Sequence, residues 1–566
     1  MKTSIKNLAN NVATRMGLTL AVSCAVLPAF GAPSQLESSK QFHGLLSQTL
    51  SPEAKKAEST GIHYMMNQPL DGLMSANSIE EAMKMVRLSI DSIMFDSRAA
   101  GATQAPSLDK ALAKAPLTVV VVPGVFAEFI KVRAFEGAFA PTSAYAKQFA
   151  QVIAKASAQK NAAAFDVTFD SSKLQKTTVS LADVVSVGSL DDAKGNPQVK
   201  VIIFKTPFLS LESVGDQEQQ AALFTRRLEK YLALTGAQNL AFVGYSRGTA
   251  TGLSMLSDAQ KKSKPWLKNV KAMVSYAGVV SGSALADDLD NPEAPLAKMV
   301  ALLKTLRKEL RVPRTNDQMN VLQKARENLV VAKNNNDAWL KFSAKALLVA
   351  PKLIPSNNSP DIKELDGSPT DVDISSPFAL TLKMYGAMGL KNPITSYGAN
   401  VERFQLLIDA NLMAVEQLRT VVRKQWWKTH FVPTEGLTYY SITAAMADPA
   451  RSEFEKAVFL APFGYSRSYD DKSLLQNHRD YTRVSGVTLN DSQVSVAQAM
   501  FLPGVIRSMN PYQAPLKITN LGVMSTHHWG MALQVVSEMK DKRLNPFPRE
   551  AVLKALAGQI VLDQGL

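Results

Sequence analysis

Short apolar runs alternate with amphipathic stretches along much of the chain. Residues 117–122 form a continuous β-branched run that ends at Pro123-Gly124, which is typical of a strand buried on both faces of a parallel sheet. Four further runs predict strands of the same kind, at residues 199–205, 240–243, 271–276 and 437–442. Helical stretches lie between several of them, including residues 216–235. Strands that alternate with helices predict a doubly wound α/β domain.

Two other regions keep a helical period without strand signals. In the first, Ser78 resembles a helix cap, and residues 83–95 keep the apolar spacing of a helix. The second runs from Ser283 to about residue 433, and it predicts helices at residues 295–310, 317–331, 337–349 and 400–428. We interpret the second region as a helical insertion between two parts of the α/β domain. Near its end, Trp426 and Trp427 lie among basic residues, which predicts either packing against the core or contact with a lipid–water interface.

The first 31 residues have the features of a secretory signal peptide. Lys2, Lys6 and Arg15 form a basic segment, residues 16–30 are apolar, and small residues flank Phe30 at a cleavage position. The apolar stretch is too short for a comfortable membrane span. We therefore expect an exported protein, either periplasmic or secreted.

The cysteine content and the net charge limit which disulfides and binding partners are expected. The single cysteine, Cys24, lies inside the predicted signal peptide, so the mature chain would have no disulfide. The net charge of +14 falls to +11 without the three basic residues of that segment. A basic exported protein is drawn to anionic surfaces, so peripheral contact with an anionic membrane is expected. No basic stripe is interleaved with aromatic residues, so nucleic acid is not an expected partner.

A Gly-Tyr-Ser-Arg-Gly motif at residues 244–248 directly follows the predicted strand 240–243 and precedes a small, apolar stretch at 249–256. Strand, G-x-S-x-G and helix together resemble the nucleophile elbow of the α/β-hydrolases. The glycines fit that geometry because a tight, strained turn leaves no room for side chains two residues from the serine. The resemblance implies that Ser246 is a nucleophile. A near-repeat at residues 464–468 lacks the second glycine and is predicted to be a loop.

The resemblance also implies an order along the chain, in which the acid and then the histidine follow the serine. Four of the six histidines fail this order or lie in a charged loop: His43, His63, His430 and His478. The two that remain are His527 and His528. His528-Trp529-Gly530, followed by the helical stretch 531–539, is similar to the histidine loop of bacterial lipases and favours His528 as the base.

The acid is predicted from a turn motif. Residues 490–494 read Asn-Asp-Ser-Gln-Val, which resembles the Asn-Asp-Gly-x-Val turn that carries the acid in secreted bacterial lipases. Ser492 stands where that pattern has glycine. Asp491 is the predicted acid, and Asp448, which follows the predicted strand 437–442 more closely, is the alternative. Either aspartate could instead cap a helix in an ordinary loop.

An oxyanion hole needs two backbone N–H donors aimed at the developing charge. By the resemblance, one donor is the N–H of Arg247, the residue after the nucleophile. The other comes from the loop after the first central strand and matches Val125. Pro123 replaces the histidine of the lipase pattern in that loop, so the support behind the loop must differ.

Together these motifs resemble the α/β-hydrolase superfamily, in its lipase- or esterase-like branch. The resemblance implies a mostly parallel sheet flanked by helices, with a large helical cap insertion and an N-terminal helical extension. A helical domain with no role at the active site is the alternative to a cap. The predicted divisions are a signal peptide at 1–31, the extension at 32–112, core at 113–285, cap at 286–432 and core at 433–566.

The function implied is an exported serine hydrolase that cleaves carboxyl esters of lipids or other acyl groups through an acyl-enzyme. An amidase, peptidase or acyltransferase with the same triad is one alternative, and a non-catalytic binding protein on a hydrolase scaffold is another. No cofactor and no metal are expected, because zinc and nucleotide motifs are missing and the acidic stretch 366–373 lacks calcium-loop spacing.

Overall fold

The computed structural model describes the following parts of the chain: residues 35–50, 52, 65–66, 73–88, 105–113, 117–125, 143–158, 164–170, 175–192, 194–206, 215–291, 412–445, 482, 485–487, 489–510, 512, 516–526, 528–532 and 548–566. The signal peptide and the predicted helices 295–310, 317–331 and 337–349 lie outside these residues.

The strands in these residues are β1 Met65–Met66, β2 Leu117–Val122, β3 Ala164–Asp170, β4 Gln175–Ser180, β5 Val185–Asp191, β6 Pro197–Phe204, β7 Leu240–Tyr245, β8 Val270–Tyr276, β9 Thr438–Ala445 and β10 Lys517–Ser525. The α-helices are α1 Gln35–Thr49, α2 Ile79–Leu88, α3 Leu108–Leu112, α4 Ala144–Ala158, α5 Leu181–Val184, α6 Gln217–Thr235, α7 Arg247–Lys261, α8 Ala284–Asp287, α9 Thr420–Thr429, α10 Val496–Ala499, α11 Pro503–Met509 and α12 Arg549–Gln564. Short 3₁₀ turns cover Pro265–Asn269, Asp288–Asp290 and Trp529–Met531.

Eight strands form one sheet in the order β1-β10-β9-β8-β7-β2-β6-β5. The six inner strands run parallel, whereas β1 and β5 pair antiparallel at the two edges. All five strands predicted from the apolar runs are present within three residues of their predicted ends. The α/β prediction is confirmed. Strands β1, β3, β4, β5 and β10 were not predicted, and β3 pairs with β4 as a separate hairpin.

Helices cover both faces of the sheet, because side chains alternate between the faces along each strand. On β2, Val120 and Val122 pack in the same core as Phe224 of α6. Val119 and Val121 face the opposite layer, which contains Leu45 of α1 together with side chains of α12. The first helix of the predicted N-terminal extension therefore packs into the second core. None of the helices in the described ranges is long and apolar enough to cross a bilayer.

The parallel strands bring several loops to one edge of the sheet. Val122 at the end of β2 pairs with Gly244 on β7, and Tyr245 pairs with Tyr276 at the end of β8. Ala445 at the end of β9 pairs with Ser525 at the end of β10. The loops that follow these strands share the carboxyl edge, which is where open α/β sheets bind their ligands.

The start of the region predicted as a cap is bound to a segment near its end, residues 418–420. The backbone N–H of Ser283 donates to the carbonyl of Leu418 at 2.8 Å. Thr420 donates to the carboxylate of Asp287 from its backbone N–H and from its hydroxyl. Arg419 forms an ion pair with Asp290. Residues 283–290 and 418–420 are therefore bound side by side.

The predicted continuous helix at 400–428 is wrong in its last part. Arg419 is extended, with φ −65° and ψ 143°, and α9 begins only at Thr420. The break lets the carbonyl of Leu418 reach Ser283 and the amide of Thr420 reach Asp287. These contacts between distant segments replace the hydrogen bonds that a continuous helix would make within itself.

Candidate active site

Ser246 stands at a sharp turn between β7 and α7. Its φ of 55° and ψ of −129° lie in a region that residues other than glycine rarely adopt. The turn is held through the serine backbone. The N–H of Ser246 donates to Tyr276 at 3.3 Å, and its carbonyl accepts from Thr249 at 3.1 Å and Val279 at 3.0 Å.

The two glycines of the motif are required by close backbone contacts. A Cβ at Gly244 would lie 2.4 Å from the Cα of Thr249. A Cβ at Gly248 would lie 2.1 Å from the carbonyl oxygen of Val122. Because backbone atoms form both obstacles, no side-chain rearrangement could relieve them. The first turn of α7 is thus seated directly against the end of β2.

The loop after β2 lies beside the serine. A Cβ at Gly124 would come within 2.9 Å of the Ser246 Cβ. Val125, the next residue, is half-buried. The loop that carries Val125 therefore borders Ser246, and Arg247 follows the serine as the first residue of α7. The roles of their N–H groups as oxyanion donors remain predictions.

Asp491 and His528 are in direct contact. The imidazole Nδ1 of His528 and the carboxylate Oδ2 of Asp491 are 2.6 Å apart, and the backbone N–H of His528 donates to the Asp491 carbonyl at 2.8 Å. Both residues are buried, since only 2% of the His528 surface and 1% of the Asp491 surface are exposed. A proton on Nδ1 that is donated to the carboxylate leaves the lone pair of the neutral imidazole on Nε2. That Nε2 is buried and has no hydrogen-bond partner within the described ranges.

A turn fixes the orientation of the aspartate. Its other oxygen, Oδ1, accepts hydrogen bonds from the backbone N–H groups of Gln493 at 3.0 Å and Val494 at 2.8 Å. The backbone N–H of Asp491 in turn donates to the carbonyl of Val494 at 3.1 Å. One carboxylate oxygen is thus committed to the turn and the other to His528.

Ser492 occupies the glycine position of the lipase turn and shows why glycine fits there. Its φ is +85°, which is in the left-handed region that favours glycine. Its hydroxyl is buried and has no partner within the described ranges. The side chain of Asn490 supports the turn by accepting from the Ser492 N–H at 2.9 Å. The turn therefore forms despite the serine, at a conformational cost.

Tyr245 connects the serine turn to the histidine, and the motifs did not identify it. Its hydroxyl donates to the carbonyl of His528 at 3.1 Å, and the two rings lie 5.2 Å apart between centroids. Burial raises the pKa of Tyr245 well above its ordinary value, and the nearby Asp491 carboxylate adds to the shift, so the hydroxyl keeps its proton. The only sequence signal for Tyr245 was its position between Gly244 and Ser246, where the G-x-S-x-G pattern allows any residue.

Some predicted partners are not joined in the structure. Ser246 Oγ and His528 Nε2 form no hydrogen bond, since Nε2 has no partner in the described segments. In enzymes without substrate such contacts are often long and shorten only in the reacting complex. The alternatives His527 and Asp448 lie outside the described residues, as does His478. His430 is exposed at the end of α9, where its ring stacks on Trp426.

The two tryptophans of α9 pack inside the protein. Trp426 is 7% exposed and Trp427 is fully buried, so the packing alternative is confirmed over the lipid interface. Their indole N–H groups donate to Glu218 at 2.7 Å and to the carbonyl of Val280 at 3.0 Å. The parts of the chain that the structure covers contain no group of three or more histidine, cysteine or acidic side chains placed to hold a metal ion.

The chain matches no protein-family profile and no curated protein. Among solved structures it is similar to the crystal structure of a metagenomic carboxyl esterase, with a TM-score of 0.35 and 14% sequence identity. The alignment covers 92% of this chain and 98% of that one. The function proposed below therefore rests on the motifs and the site geometry of this chain alone.

Proposed function

We propose that the protein is a serine hydrolase of the α/β-hydrolase type that cleaves carboxyl esters. The observation that carries the proposal is the buried 2.6 Å contact between Asp491 and His528 Nδ1, while the imidazole Nε2 has no hydrogen-bond partner among the described residues. A strained serine turn lies next to it, because Tyr245, the residue before Ser246, contacts His528. A nucleophile, a base and a group that orients the base are the parts that acyl transfer requires.

In the proposed first step, Ser246 Oγ attacks the carbonyl carbon of the ester. His528 Nε2 takes the hydroxyl proton, and Asp491 stabilises the imidazolium that forms. The bond from carbon to the alkoxy oxygen then breaks, and the imidazolium returns the proton to the leaving alcohol. An acyl group remains on Ser246. Water, deprotonated by the same His528, attacks the acyl carbon. The bond from that carbon to Ser246 Oγ then breaks, the imidazolium returns the proton to Oγ, and the carboxylic acid is released.

The negative charge on the carbonyl oxygen needs donors that are already in place. We assign them to the N–H groups of Arg247 and Val125. The support for this assignment is the position of the Val125 loop against Ser246, together with the place of Arg247 at the N-terminus of α7. A helix N-terminus favours negative charge, and loss of one such donor typically costs about 10²- to 10³-fold in kcat.

The substrate class and the location are proposed from the sequence. The net charge of +14, or +11 without residues 1–31, and the helical insertion predicted at 286–432 favour a lipid or another acyl ester, with that insertion as a cap over the site. Residues 1–31 favour export to the periplasm or the medium, with peripheral contact to anionic membranes. Cell fractionation of the full chain beside a chain without residues 1–31 tests export. We expect only the full chain to leave the cytoplasm, and the export proposal is wrong if both chains remain there.

The decisive experiment combines a covalent probe with turnover. Wild-type protein, Ser246→Ala and the control Ser508→Ala, an exposed serine on α11, are treated with a fluorescent alkyl phosphonate and assayed on p-nitrophenyl esters of increasing chain length. We expect labelling and hydrolysis by the wild type and the control, and neither by Ser246→Ala. If folded wild-type protein takes up no phosphonate, the catalytic proposal fails and a binding role replaces it. Labelling without ester turnover would instead favour an amide substrate.

A further inference from the structure

The side chain of Arg247 is anchored behind the serine turn. It is 1% exposed, although it follows Ser246 directly. Its guanidinium donates to the carbonyl of Gly215 and, at 2.7 Å, to the side-chain oxygen of Gln417. Gln417 lies 170 residues further along the chain, in the segment that returns to the sheet from the predicted cap. A residue of the cap region therefore contacts the residue that carries a proposed oxyanion donor.

Both the oxygen and the nitrogen of the Gln417 side-chain amide form hydrogen bonds. Its oxygen also accepts from the backbone N–H of Gln217 at 3.0 Å. Its nitrogen donates to the carboxylate of Asp216 at 2.7 Å, and that carboxylate also caps α6 by accepting from Gln219 at 2.9 Å. Because α6 and Gln417 hold each other in this way, the Gln417 oxygen presents a fixed acceptor to Arg247.

The same returning segment supports the serine from a second side. The indole N–H of Trp427 donates to the carbonyl of Val280 at 3.0 Å, and the Arg423 Nε donates to it at 3.4 Å. The residue before Val280, Val279, donates its N–H to the carbonyl of Ser246 at 3.0 Å. Two contacts thus lead from the end of the cap region to the serine turn, and the one through Gln417 ends on Arg247.

We infer that Gln417 is a positioning residue for the proposed oxyanion hole, acting through the side chain of Arg247. This inference rests on the proposed function. The Arg247 backbone N–H and its side chain leave the same Cα, so fixing the side chain limits how far the N–H turns. A displacement of about 1 Å at a reacting geometry can cost about 10²-fold in rate. Glutamine suits the position because one side chain supplies both the acceptor for Arg247 and the donor for Asp216.

The test substitution is Gln417→Met, which keeps the length of the side chain and removes its hydrogen bonds. The matched control is Glu416→Gln, since Glu416 is exposed and, within the described residues, its ion pair is with Arg419, three positions along the chain. Active sites are counted by phosphonate titration, and kcat is expressed per titrated site. We expect Gln417→Met to lower kcat per site about tenfold or more, with KM within about twofold, because the loss falls on the transition state. Glu416→Gln should match the wild type.

A double-mutant cycle separates positioning from general support. Arg247→Met removes this contact from the other side, together with the contact to Gly215, and keeps the backbone N–H. We expect each single substitution to lower kcat per site by a similar factor, and the double variant to lose no more than one of them. If Gln417→Met does not fold, Arg247→Met alone carries the test by the same measure.

Two results overturn the inference: an unchanged kcat per titrated site in the variants, or losses in the cycle that simply multiply. A purely structural role of Gln417 would give the first of these, since fewer sites would titrate but each would turn over normally. Failure of the proposed function looks different, because the wild type itself would then neither titrate nor hydrolyse esters.

Discussion

The carboxylate of Asp287 accepts two hydrogen bonds from Thr420, one from the backbone N–H at 2.6 Å and one from the hydroxyl at 2.5 Å. The two residues are separated by 133 positions in the chain. Gly282 lies close to the same threonine, because a Cβ at Gly282 would come within 2.5 Å of the Thr420 Cα. The loop after β8 and the start of α9 thus form one joint at the edge of the site.

Loss of the Asp287 contacts should weaken this joint. Hydrogen bonds to a charged group typically contribute about 1.5–3 kcal/mol, so we expect Asp287→Ala to lower the free energy of unfolding by about 2 kcal/mol. Asp290→Ala is the control, because Asp290 is 74% exposed in its side chain and pairs with Arg419 at the surface. Exposed ion pairs contribute about 1 kcal/mol or less. Urea denaturation of the three proteins measures the difference, and equal losses would contradict the assignment.

The same joint should respond to pH. Burial raises the pKa of Asp287 above its ordinary value of 3.8, although the hydrogen bonds from Thr420 lower it in part. A raised carboxyl pKa means that the folded state binds a proton more readily than the unfolded state. The contribution of Asp287 protonation to the free energy of unfolding is therefore complete below pH 3.8. It is lost as the pH rises through the pKa that Asp287 has in the folded state. Relative to Asp287→Asn, we expect the wild type to be less stable at about pH 7 than at about pH 4. A difference between the two proteins that does not change with pH would contradict this.

Gly248 and Gly252 lie one helical turn apart on α7 and should respond differently to alanine. At Gly248 the new Cβ would lie 2.1 Å from a backbone oxygen, so we expect a loss of about 3 kcal/mol in the free energy of unfolding, together with loss of ester hydrolysis. At Gly252 the nearest atom is the flexible end of Met273 at 3.0 Å. Alanine also favours a helix over glycine by about 1 kcal/mol. Gly252→Ala should therefore match or exceed the wild type in thermal unfolding.

Ser492→Gly should stabilise the protein. A residue other than glycine in the left-handed region costs about 1–2 kcal/mol, and the buried hydroxyl of Ser492 adds to that cost. Part of the gain from removing both is lost, because glycine gives the unfolded chain more conformational entropy. We expect a net gain of about 1 kcal/mol in the free energy of unfolding. Ser495→Ala in the same turn should do the opposite by about 1 kcal/mol, since Ser495 caps α10 from an ordinary φ of −77°. A destabilised Ser492→Gly protein would show that the serine is not strained.

Asp491→Asn tests the orienting role directly. The amide would present a donor or a weaker acceptor to His528 Nδ1, and the favoured tautomer would place the proton on Nε2, where the base needs a lone pair. We expect kcat to fall about 10⁴-fold with the fold retained. Asp258→Asn is the control, because Asp258 pairs with Lys262 on the outer face of α7. A comparable loss in the control, or none in Asp491→Asn, would remove Asp491 from the proposed triad.

The central strands could be predicted because they are buried on both faces and read as unbroken apolar runs. β2 shows this best, since all six of its residues are buried. β10 escaped prediction because Thr519, Asn520 and Gly522 interrupt its apolar pattern. The side-chain nitrogen of the buried Asn520 donates to the carbonyl of Phe501, a contact that no local sequence pattern reveals.

The candidate site likewise contains some residues that local motifs predict and others that they do not. Local motifs pointed to Asp491 and His528 because turn geometry and chemistry both restrict short stretches of sequence. Gln417 and Arg423 carry no such motif, since their partners lie on α6 and in the loop after β8. Their contacts depend on how distant segments pack, which periodicity and spacing do not encode.

The contact between Ser283 and Leu418 has a consequence for how the chain can diverge. Because departure and return are one hydrogen bond apart, the fold holds the two ends of the segment 292–411 at one place. The entropy of closing a flexible loop grows only with the logarithm of its length, by about 0.6 kcal/mol for each doubling. That segment can therefore be shortened, lengthened or exchanged for an unrelated domain without moving the strands. Under the proposed function, substrate preference and hydrolytic chemistry would then be free to evolve separately within one chain.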